Sequence, residues 1–462
     1  MNPAPSIPDA PILLASRTAQ VDREVCAAAA GLLLPHAPAG FTLLAVGGYG
    51  RRHLFPHSDV DLLLLWESER MAYERKDAIR TFLQRLWDSG LRVSHSVRTP
   101  QECAEPHEDN VELSVSLLDR RYLAGDRALY ARLEERWPRF LHGTRDWLAP
   151  RLARLARERH AKYANTFYHL EPNVKETPGG LRDYQLLRWL EQIRGATAAD
   201  PAPELEAAFQ HLSRIRCWLH AEARRDQNVL SFDAQDAMAE QWDSGDAARW
   251  MRAYYRHARA IYRAAARELD ALEARSSGLF AQFTGWRSRL GNTEIGVHRE
   301  RASLREPQRL EHDPELVLRL YEFVARHGIP PSAETVRRVE SERARLARHF
   351  AGARPVWRAL DRILSLPEAP LALRSMHETG ALCALFPELE GIECLVIRDF
   401  YHRYTVDEHT LVAIENLLRP GDPYGSLLAE IGQRGALVFA ALFHDAGKRS
   451  TSEGHVDGSL RL

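Results

Sequence analysis

The chain has 462 residues, of which 45% are hydrophobic, and its 62 basic residues nearly balance its 63 acidic ones, for a net charge of -1. At roughly 150 residues per domain this length predicts about two to four domains, and the charge excludes a nucleic-acid binder that relies on overall basicity. Five scattered cysteines without a CxxC pair indicate neither a zinc knuckle nor a disulfide framework. Without a run of about 18 apolar residues or an export signal, we expect a cytoplasmic protein that does not span a membrane.

The first hundred residues alternate between apolar runs and helical periods. We predict a helix over Ser16–Leu34, strands over Phe41–Val46 and Ser58–Trp66, an amphipathic helix over Ala72–Gly90 and a third strand over Leu91–Arg98. A helix between the second and third strands is the expected layout of a small mixed sheet. This part of the chain therefore predicts an α/β domain.

Two glycines and two aspartates lie where the first strand ends and the second begins. Gly47 and Gly48 lack a Cβ, so backbone N–H groups beside them can approach a phosphate. Asp59 and Asp61 are one residue apart in a predicted strand, so their carboxylates should share a face. Such a pair suits Mg²⁺, which prefers hard oxygen ligands. The pattern predicts a metal-dependent nucleotidyl-transfer site. The alternative is a plain hairpin in which the acids are solvated residues at the start of a strand.

Helical periods then dominate the chain, with one interruption. Residues Ala131–His169 and Glu204–Arg275 have helical patterns, and the aromatic residues of the second stretch are predicted to pack helices together. Between them Leu170–Asp183, LEPNVKETPGGLRD, has two prolines, a Gly-Gly pair and no helical period. Its composition favours a surface loop. The alternative is a segment that folds back onto a site, where Lys175 and Arg182 could bind a triphosphate.

A second pattern of metal-ligand type lies near residue 440. Gly435–Gly447 is predicted as an apolar helix that ends in His444 and Asp445, and another helix carries His409 after an acidic cap. Adjacent His and Asp with a distant His are typical of a site whose metal activates water for phosphodiester hydrolysis. A helix cap or a core salt bridge also explains most isolated His-Asp pairs.

Five motifs occur in series: GGYGRRHLFPHSDVDLLLL from residue 47, HSVRT from 95, LEPNVKETPGGLRD from 170, YHRYTVDEHTL from 401 and LFHDAGK from 442. In order and spacing they resemble the motifs of bacterial PII uridylyltransferase/uridylyl-removing enzymes, from about residue 20 to the last residue. The resemblance implies an α+β fold, with a polymerase-β-like nucleotidyltransferase head and mixed sheet, then a helical domain and a partial all-α HD phosphohydrolase domain. The implied segments are an N-terminal helical segment 1–38, the nucleotidyltransferase domain 39–150, a helical uridylyltransferase-associated domain 151–290, a helical connector 291–365 and the partial HD domain 366–462.

The resemblance also implies a reaction, in which UMP passes from UTP to a tyrosine of the PII signal protein and pyrophosphate leaves. Asp59 and Asp61 would be catalytic and would hold Mg²⁺. The implied nucleotide-binding residues are Gly47, Gly48, Arg51, Ser58, Lys175 and Arg182. Polymerase-β-like sites usually have a third acid on a later strand, where this chain has Ser94-His95-Ser96. Asp119 and Glu112 are the remaining candidates.

In the HD domain, the resemblance implies that His409, His444 and Asp445 hold a divalent metal, Mn²⁺ or Mg²⁺, for removal of UMP from PII. HD domains need further ligands downstream of Leu462, so we expect poor metal binding and slow or absent hydrolysis here. The glutamine-sensing ACT domains of the family are also missing, so we expect no glutamine control.

The expected partners are PII and UTP, with no nucleic acid and no membrane. Two alternatives stay open at this point. One is a nucleotidyltransferase with another nucleotide or protein substrate, because the acid pair contacts only metal and phosphate. The other is a non-catalytic nucleotide-binding interaction module.

Overall fold

The structure is a computed structural model that describes residues 9–106, 111–195, 201–242, 245–276, 290–298, 300–352, 356–397, 403–419, 424–449 and 455–461. The chain divides into two compact units. The first takes in Met1–Phe167, Glu171–Gly245 and Ala253–Glu273, and the second Tyr168–Leu170, Asp246–Arg252 and Ala274–Leu462. None of the described helices combines the length and the apolar character that crossing a bilayer requires.

A four-stranded mixed sheet organises the first unit, in agreement with the predicted α+β class. Its strands are β1 Phe41–Ala45, β2 Val60–Trp66, β3 Val93–Arg98 and β4 Arg121–Gly125, in the order β3-β2-β1-β4. Strand β1 pairs antiparallel with β2 and β4, whereas β2 pairs parallel with β3. The two central strands are almost fully buried, as their apolar runs predict. Strand β4 was not predicted.

Helices cover both faces of this sheet. Their bounds, to residue 276, are α1 Ala10–Leu32, α2 Gly47–Gly50, α3 Glu69–Glu74, α4 Lys76–Asp88, α5 Pro100–Cys103, α6 Val111–Leu118, α7 Arg127–Lys162, α8 Leu181–Ile193, α9 Pro203–Ala223, α10 Phe232–Trp242 and α11 Ala247–Ser276. The predicted first helix begins six residues earlier than expected. The helix predicted over Ala72–Gly90 is two helices that meet at Arg75, and the glycine turn after β1 is the short helix α2.

The alternation of side chains along β2 separates two cores. Leu62 and Leu64 pack in a cluster with α1 and α4, while Leu63 and Leu65 pack in a cluster with α6, α7 and α8. Because the side-chain period of a strand is two, Asp61 lies on the same face as Leu63. This register directs the Asp61 carboxylate toward the side of the sheet that α7 and α8 cover.

The second unit is mostly helical, and its described residues form a large core. An antiparallel hairpin, β5 Ile295–His298 and β6 Arg301–Leu304, lies inside the segment predicted as a helical connector. Its helices are α12 Leu316–His327, α13 Ala333–Ser341, α14 Arg343–Phe350, α15 Trp357–Ser365, α16 Ala369–Glu378, α17 Ala381–Leu385, α18 Val406–Leu418, α19 Tyr424–Glu430, α20 Arg434–Phe443 and α21 His455–Leu460. Its core includes Tyr321, Ile363 and Val438, all fully buried.

Candidate functional site

A cleft of about 790 Å³ in the first unit brings together side chains from distant parts of the sequence. This volume lies within the usual range for small-molecule sites, about 300–1,000 Å³. All eight residues predicted for the transfer site line it: Gly47, Gly48, Arg51, Ser58, Asp59, Asp61, Lys175 and Arg182. The segment Leu170–Asp183 therefore folds back onto the cleft, which its composition alone did not favour.

The two aspartates of the cleft differ in their surroundings. Strand β2 begins at Val60, so Asp59 precedes the strand; its side chain is 51% exposed, and Arg92 Nε lies 3.0 Å from its Oδ1. Asp61 is more enclosed. Burial, followed by the charge of Asp59, raises the pKa of Asp61 to about 6. A divalent cation would offset the cost of burying the charged Asp61 carboxylate and would relieve its repulsion with Asp59. The pair therefore suits a metal.

Gly47 gives this pair room. Its φ is +56°, which favours glycine, and a Cβ there would lie 3.1 Å from Asp61 Oδ2. Gly50 is more restricted still, because a Cβ would lie 1.8 Å from the carbonyl oxygen of Asp119. The glycines thus keep α2 close to both the carboxylate and the neighbouring backbone.

Asp119 holds Arg51 rather than facing the cleft. The Arg51 guanidinium donates to Asp119 Oδ2, and Trp189 Nε1 donates to the same oxygen at 2.9 Å. Asp119 is buried and does not line the cleft, so its candidacy as the third metal ligand is not supported; Glu112, the other candidate, does line it. Among the described residues, Asp59 and Asp61 belong to no compact group of three His, Cys, Asp or Glu ligands.

A buried carboxylate fixes the start of α8 and the loop before it. Asp183 is fully buried; His160 Nε2 lies 2.9 Å from its Oδ1, Arg159 donates to the same oxygen, and Gly179 N–H donates to Oδ2 at 2.7 Å. Burial alone would raise the pKa of Asp183. The hydrogen bond from His160 and the charge of Arg159 outweigh burial and lower it. The loop is therefore held by interactions that favour the ionised carboxylate.

The anchored loop places positive charge in the cleft. Lys175 and Arg182 both line it, and Arg182 Nη2 lies 3.5 Å from Glu176 Oε1. Burial, then the charges of Arg216 and Arg182, lowers the pKa of Lys175. An anionic ligand would offset this crowding of like charges. The cleft thus combines carboxylates for a metal with cations for phosphates.

Arg216, on α9, is a cleft residue that the sequence reasoning missed. The five sequence motifs all lie outside α9 and gave no indication of this residue. A signal was present in the helical period, because Arg216 follows the buried Leu212 by four residues and precedes the buried Leu219 by three. A charged residue in an apolar stripe needs a partner or a ligand.

The second unit contains a compact group of metal-ligand type. Ligand atoms of His409, His444 and Asp445 all lie within 4.8 Å of one another, and among the described residues no other such group of three occurs. His409 lies on α18, and His444 and Asp445 directly follow α20. Lys448 Nζ lies 2.8 Å from Asp445 Oδ2, so an ammonium already occupies one carboxylate oxygen.

Paired carboxylates at the start of a buried strand, facing a cationic cleft, are the features of a nucleotidyltransferase. Residues 149–268 match the family model described as GlnD PII-uridylyltransferase. Curated proteins named bifunctional uridylyltransferase/uridylyl-removing enzyme are 33% identical in Bordetella parapertussis, 34% in Bordetella avium and 32% in Thiobacillus denitrificans. The chain is thus similar in sequence to this family.

The matched region covers nearly all of the chain but only part of each relative. The alignments take in 89%, 89% and 91% of the chain, and 50%, 50% and 52% of the three proteins. The chain thus spans about half the length of the curated relatives it matches.

The buried network around Asp183 generates a stability prediction. Asp183→Asn leaves Arg159 without its buried counter-charge, and we expect a loss of about 3 kcal/mol in the free energy of unfolding. The pKa of Asp183 is lowered in the fold, so the stabilisation is complete above the unfolded value of about 3.9 and declines as the pH falls through the folded value. Urea unfolding at pH 7 and at decreasing pH measures both effects.

The matched control is Glu158→Gln. Glu158 directly precedes Arg159 in the sequence and forms an exposed ion pair with Arg154. Such pairs contribute about 0.3–0.5 kcal/mol. Equal unfolding free energies for the two variants at pH 7 would contradict the assigned role of Asp183.

Proposed function

We propose that the chain transfers UMP from UTP to a tyrosine of a PII signal protein and releases pyrophosphate. The observation that carries this proposal is the convergence of Asp59 and Asp61 with Lys175 and Arg182 in one cleft. The names of the curated relatives support uridylyl transfer as the reaction. The PII substrate rests on the motif resemblance and on the description of the matched family.

Asp59 and Asp61 would hold Mg²⁺ through their carboxylate oxygens, and the space left by Gly47 fits a cation or phosphate there. When bound, the metal would neutralise phosphate charge and align the triphosphate for in-line displacement. The tyrosine oxygen would form a bond to the α-phosphorus while the bond from that phosphorus to the α–β bridging oxygen breaks. Pyrophosphate would leave with the electron pair of that bond, and the tyrosine proton would pass to solvent.

The chain's own cations would act on the leaving group. Lys175 on the anchored loop and Arg182 in the first turn of α8 would bind phosphate oxygens of the departing pyrophosphate. Arg51 is held by Asp119 and stays beside the glycines of α2. On another wall of the cleft, Leu152, Leu155 and Leu186 provide apolar surface that would exclude water from the reacting atoms.

These contacts do not select a base. Carboxylates, metal and cations would meet only phosphates, which UTP, ATP and CTP share, so another nucleotide or another protein acceptor is the competing function. A non-catalytic nucleotide-binding module is less consistent with the cleft, because mere binding does not require two adjacent carboxylates.

The transfer is tested with the double variant Asp59→Asn, Asp61→Asn and α-labelled UTP, ATP or CTP in the presence of PII. We expect label from UTP on the PII of the unsubstituted chain, and a rate at least about a hundredfold lower for the variant because the metal ligands are lost. Asp88→Asn, an exposed residue on α4, is the control and should label PII normally. Undiminished labelling by the double variant, with its thermal unfolding unchanged, would falsify the metal assignment.

We also propose that His409, His444 and Asp445 form the metal site of an HD-type phosphohydrolase region, which would hydrolyse the UMP-tyrosine bond of modified PII. Two imidazoles and a carboxylate suit a divalent transition metal such as Mn²⁺ better than Mg²⁺, which prefers oxygen ligands. Lys448 competes with the metal for Asp445, which supports the expectation of weak metal binding and slow hydrolysis.

Mn²⁺ titration followed by electron paramagnetic resonance tests this second site, on the Asp59→Asn, Asp61→Asn background so that the first site contributes nothing. We expect weak binding that His444→Ala reduces at least about tenfold through loss of a ligand. His312→Ala removes an exposed imidazole of the same unit and should leave binding unchanged. Equal Mn²⁺ affinities for His444→Ala and His312→Ala would remove His444 from the site.

A further inference from the structure

Arg216 combines nearly complete burial with access to the cleft. The residue is 4% exposed, yet it lines the cleft together with Ser58 and Asp61. Burying a guanidinium is costly unless hydrogen bonds and opposite charge surround it. Its surroundings therefore indicate whether it serves the fold alone or also a ligand.

Three groups fix the plane of the Arg216 guanidinium. Its Nε donates to Asn228 Oδ1 at 2.7 Å, and its Nη2 donates to Asp226 Oδ1 at 3.2 Å. The guanidinium carbon lies 4.1 Å from the ring centroid of Phe55, at cation–π distance. Two hydrogen bonds and one aromatic ring hold the guanidinium. The side chain is therefore preorganised and would lose little conformational freedom on binding a ligand.

The held guanidinium lies beside the start of β2. Its Nη2 is 3.4 Å from Ser58 Oγ, and Ser58 directly precedes Asp59. Among the hydrogen bonds described for Arg216, none uses Nη1, so this nitrogen keeps its donors for a ligand in the cleft.

The local charge favours an anion. Arg216, Lys175 and Arg182 all line the cleft, and Asp226 is the carboxylate that pairs with Arg216. Asp226 is also shared, since its Oδ1 lies 2.9 Å from His220 Nε2. Glu176 lies 3.5 Å from Arg182 and 3.8 Å from Lys175, so Asp226 and Glu176 are two carboxylates beside three cations, and positive charge remains in excess.

We propose that Arg216 binds the triphosphate of the nucleotide beyond its α-phosphate, positioned by Asp226, Asn228 and Phe55. This inference rests on the proposed nucleotidyl transfer, because that function supplies the triphosphate. The guanidinium and the Lys175 ammonium then hold oxygens of the same polyphosphate, while Asp59 and Asp61 hold its metal.

Isothermal titration of the full chain with UMP, UDP, UTP and inorganic tripolyphosphate, each with Mg²⁺, tests the inference. Arg216→Met should weaken binding of UTP and tripolyphosphate by about ten- to a hundredfold, the effect of losing a hydrogen bond to a charged group, and should change UMP binding much less. Arg214→Met is the matched control, because Arg214 is exposed on the same helix and stacks on Trp242. It should leave all four affinities unchanged.

A purely structural role would alter folding or all ligands alike. Equal losses for UMP and UTP, or no loss for UTP, would overturn the proposal. Thermal unfolding checks that Arg216→Met is folded. If it is not, Arg216→Lys is used, because lysine keeps the charge but lacks the planar guanidinium with its fixed donors. Arg216→Lys should still weaken the binding of UTP more than the binding of UMP. Equal effects of Arg216→Lys on UMP and UTP would overturn the proposal as well.

Labelling of PII separates this inference from the proposed function. If the unsubstituted chain binds UTP and tripolyphosphate but labels no PII, the proposed transfer is wrong. The titrations of the Arg216 variants then decide the role of Arg216 independently. If PII is labelled and Arg216→Met has an unchanged KM for UTP, the transfer stands and the role of Arg216 is wrong. A raised KM with a nearly unchanged kcat is the result that we expect.

Discussion

The repulsion between two carboxylates one residue apart is the constraint on which the cleft depends. Both aspartates line the cleft, and burial, followed by the charge of Asp59, raises the pKa of Asp61 to about 6. Two neighbouring ionised carboxylates are stable together only if positive charge lies close to them. The structure supplies fixed cations around the aspartates, and the proposed metal would supply the rest.

Two carboxylates outside the cleft support three of its cations. Asp119 and Trp189 secure the surroundings of Arg51, and Asp183 secures the loop that carries Lys175 and the start of α8, which carries Arg182. Because these supporting carboxylates do not line the cleft, they leave its positive charge available to a ligand. A preorganised set of charges needs little rearrangement when a triphosphate binds, which is the property that transfer of a phosphoryl group requires.

Local sequence patterns predicted those structural elements whose formation depends on residues close together in the chain. Three strands of the sheet, the helices between them and the acid pair followed from apolar runs and spacing. Strand β4 and the hairpin of the second unit were missed because their short, partly polar segments owe their pairing to distant strands or to a tight turn. The pairing of Asp119 with Arg51, the folding of the 170–183 loop onto the cleft and the place of Arg216 depend on contacts between residues far apart in sequence. No local period encodes these partners, although the helical period does mark Arg216 as a charged residue in an apolar stripe.

We propose that Asp59 and Asp61 hold the metal of a nucleotide that lies in the cleft of the first unit. A crystal structure with Mn²⁺ and a non-hydrolysable UTP analogue tests this assignment directly through the anomalous scattering of manganese. We expect an anomalous peak coordinated by carboxylate oxygens of both aspartates and by the triphosphate, with the phosphates facing Lys175 and Arg182. A nucleotide bound outside this cleft, or a manganese peak that neither aspartate contacts, would contradict the assignment.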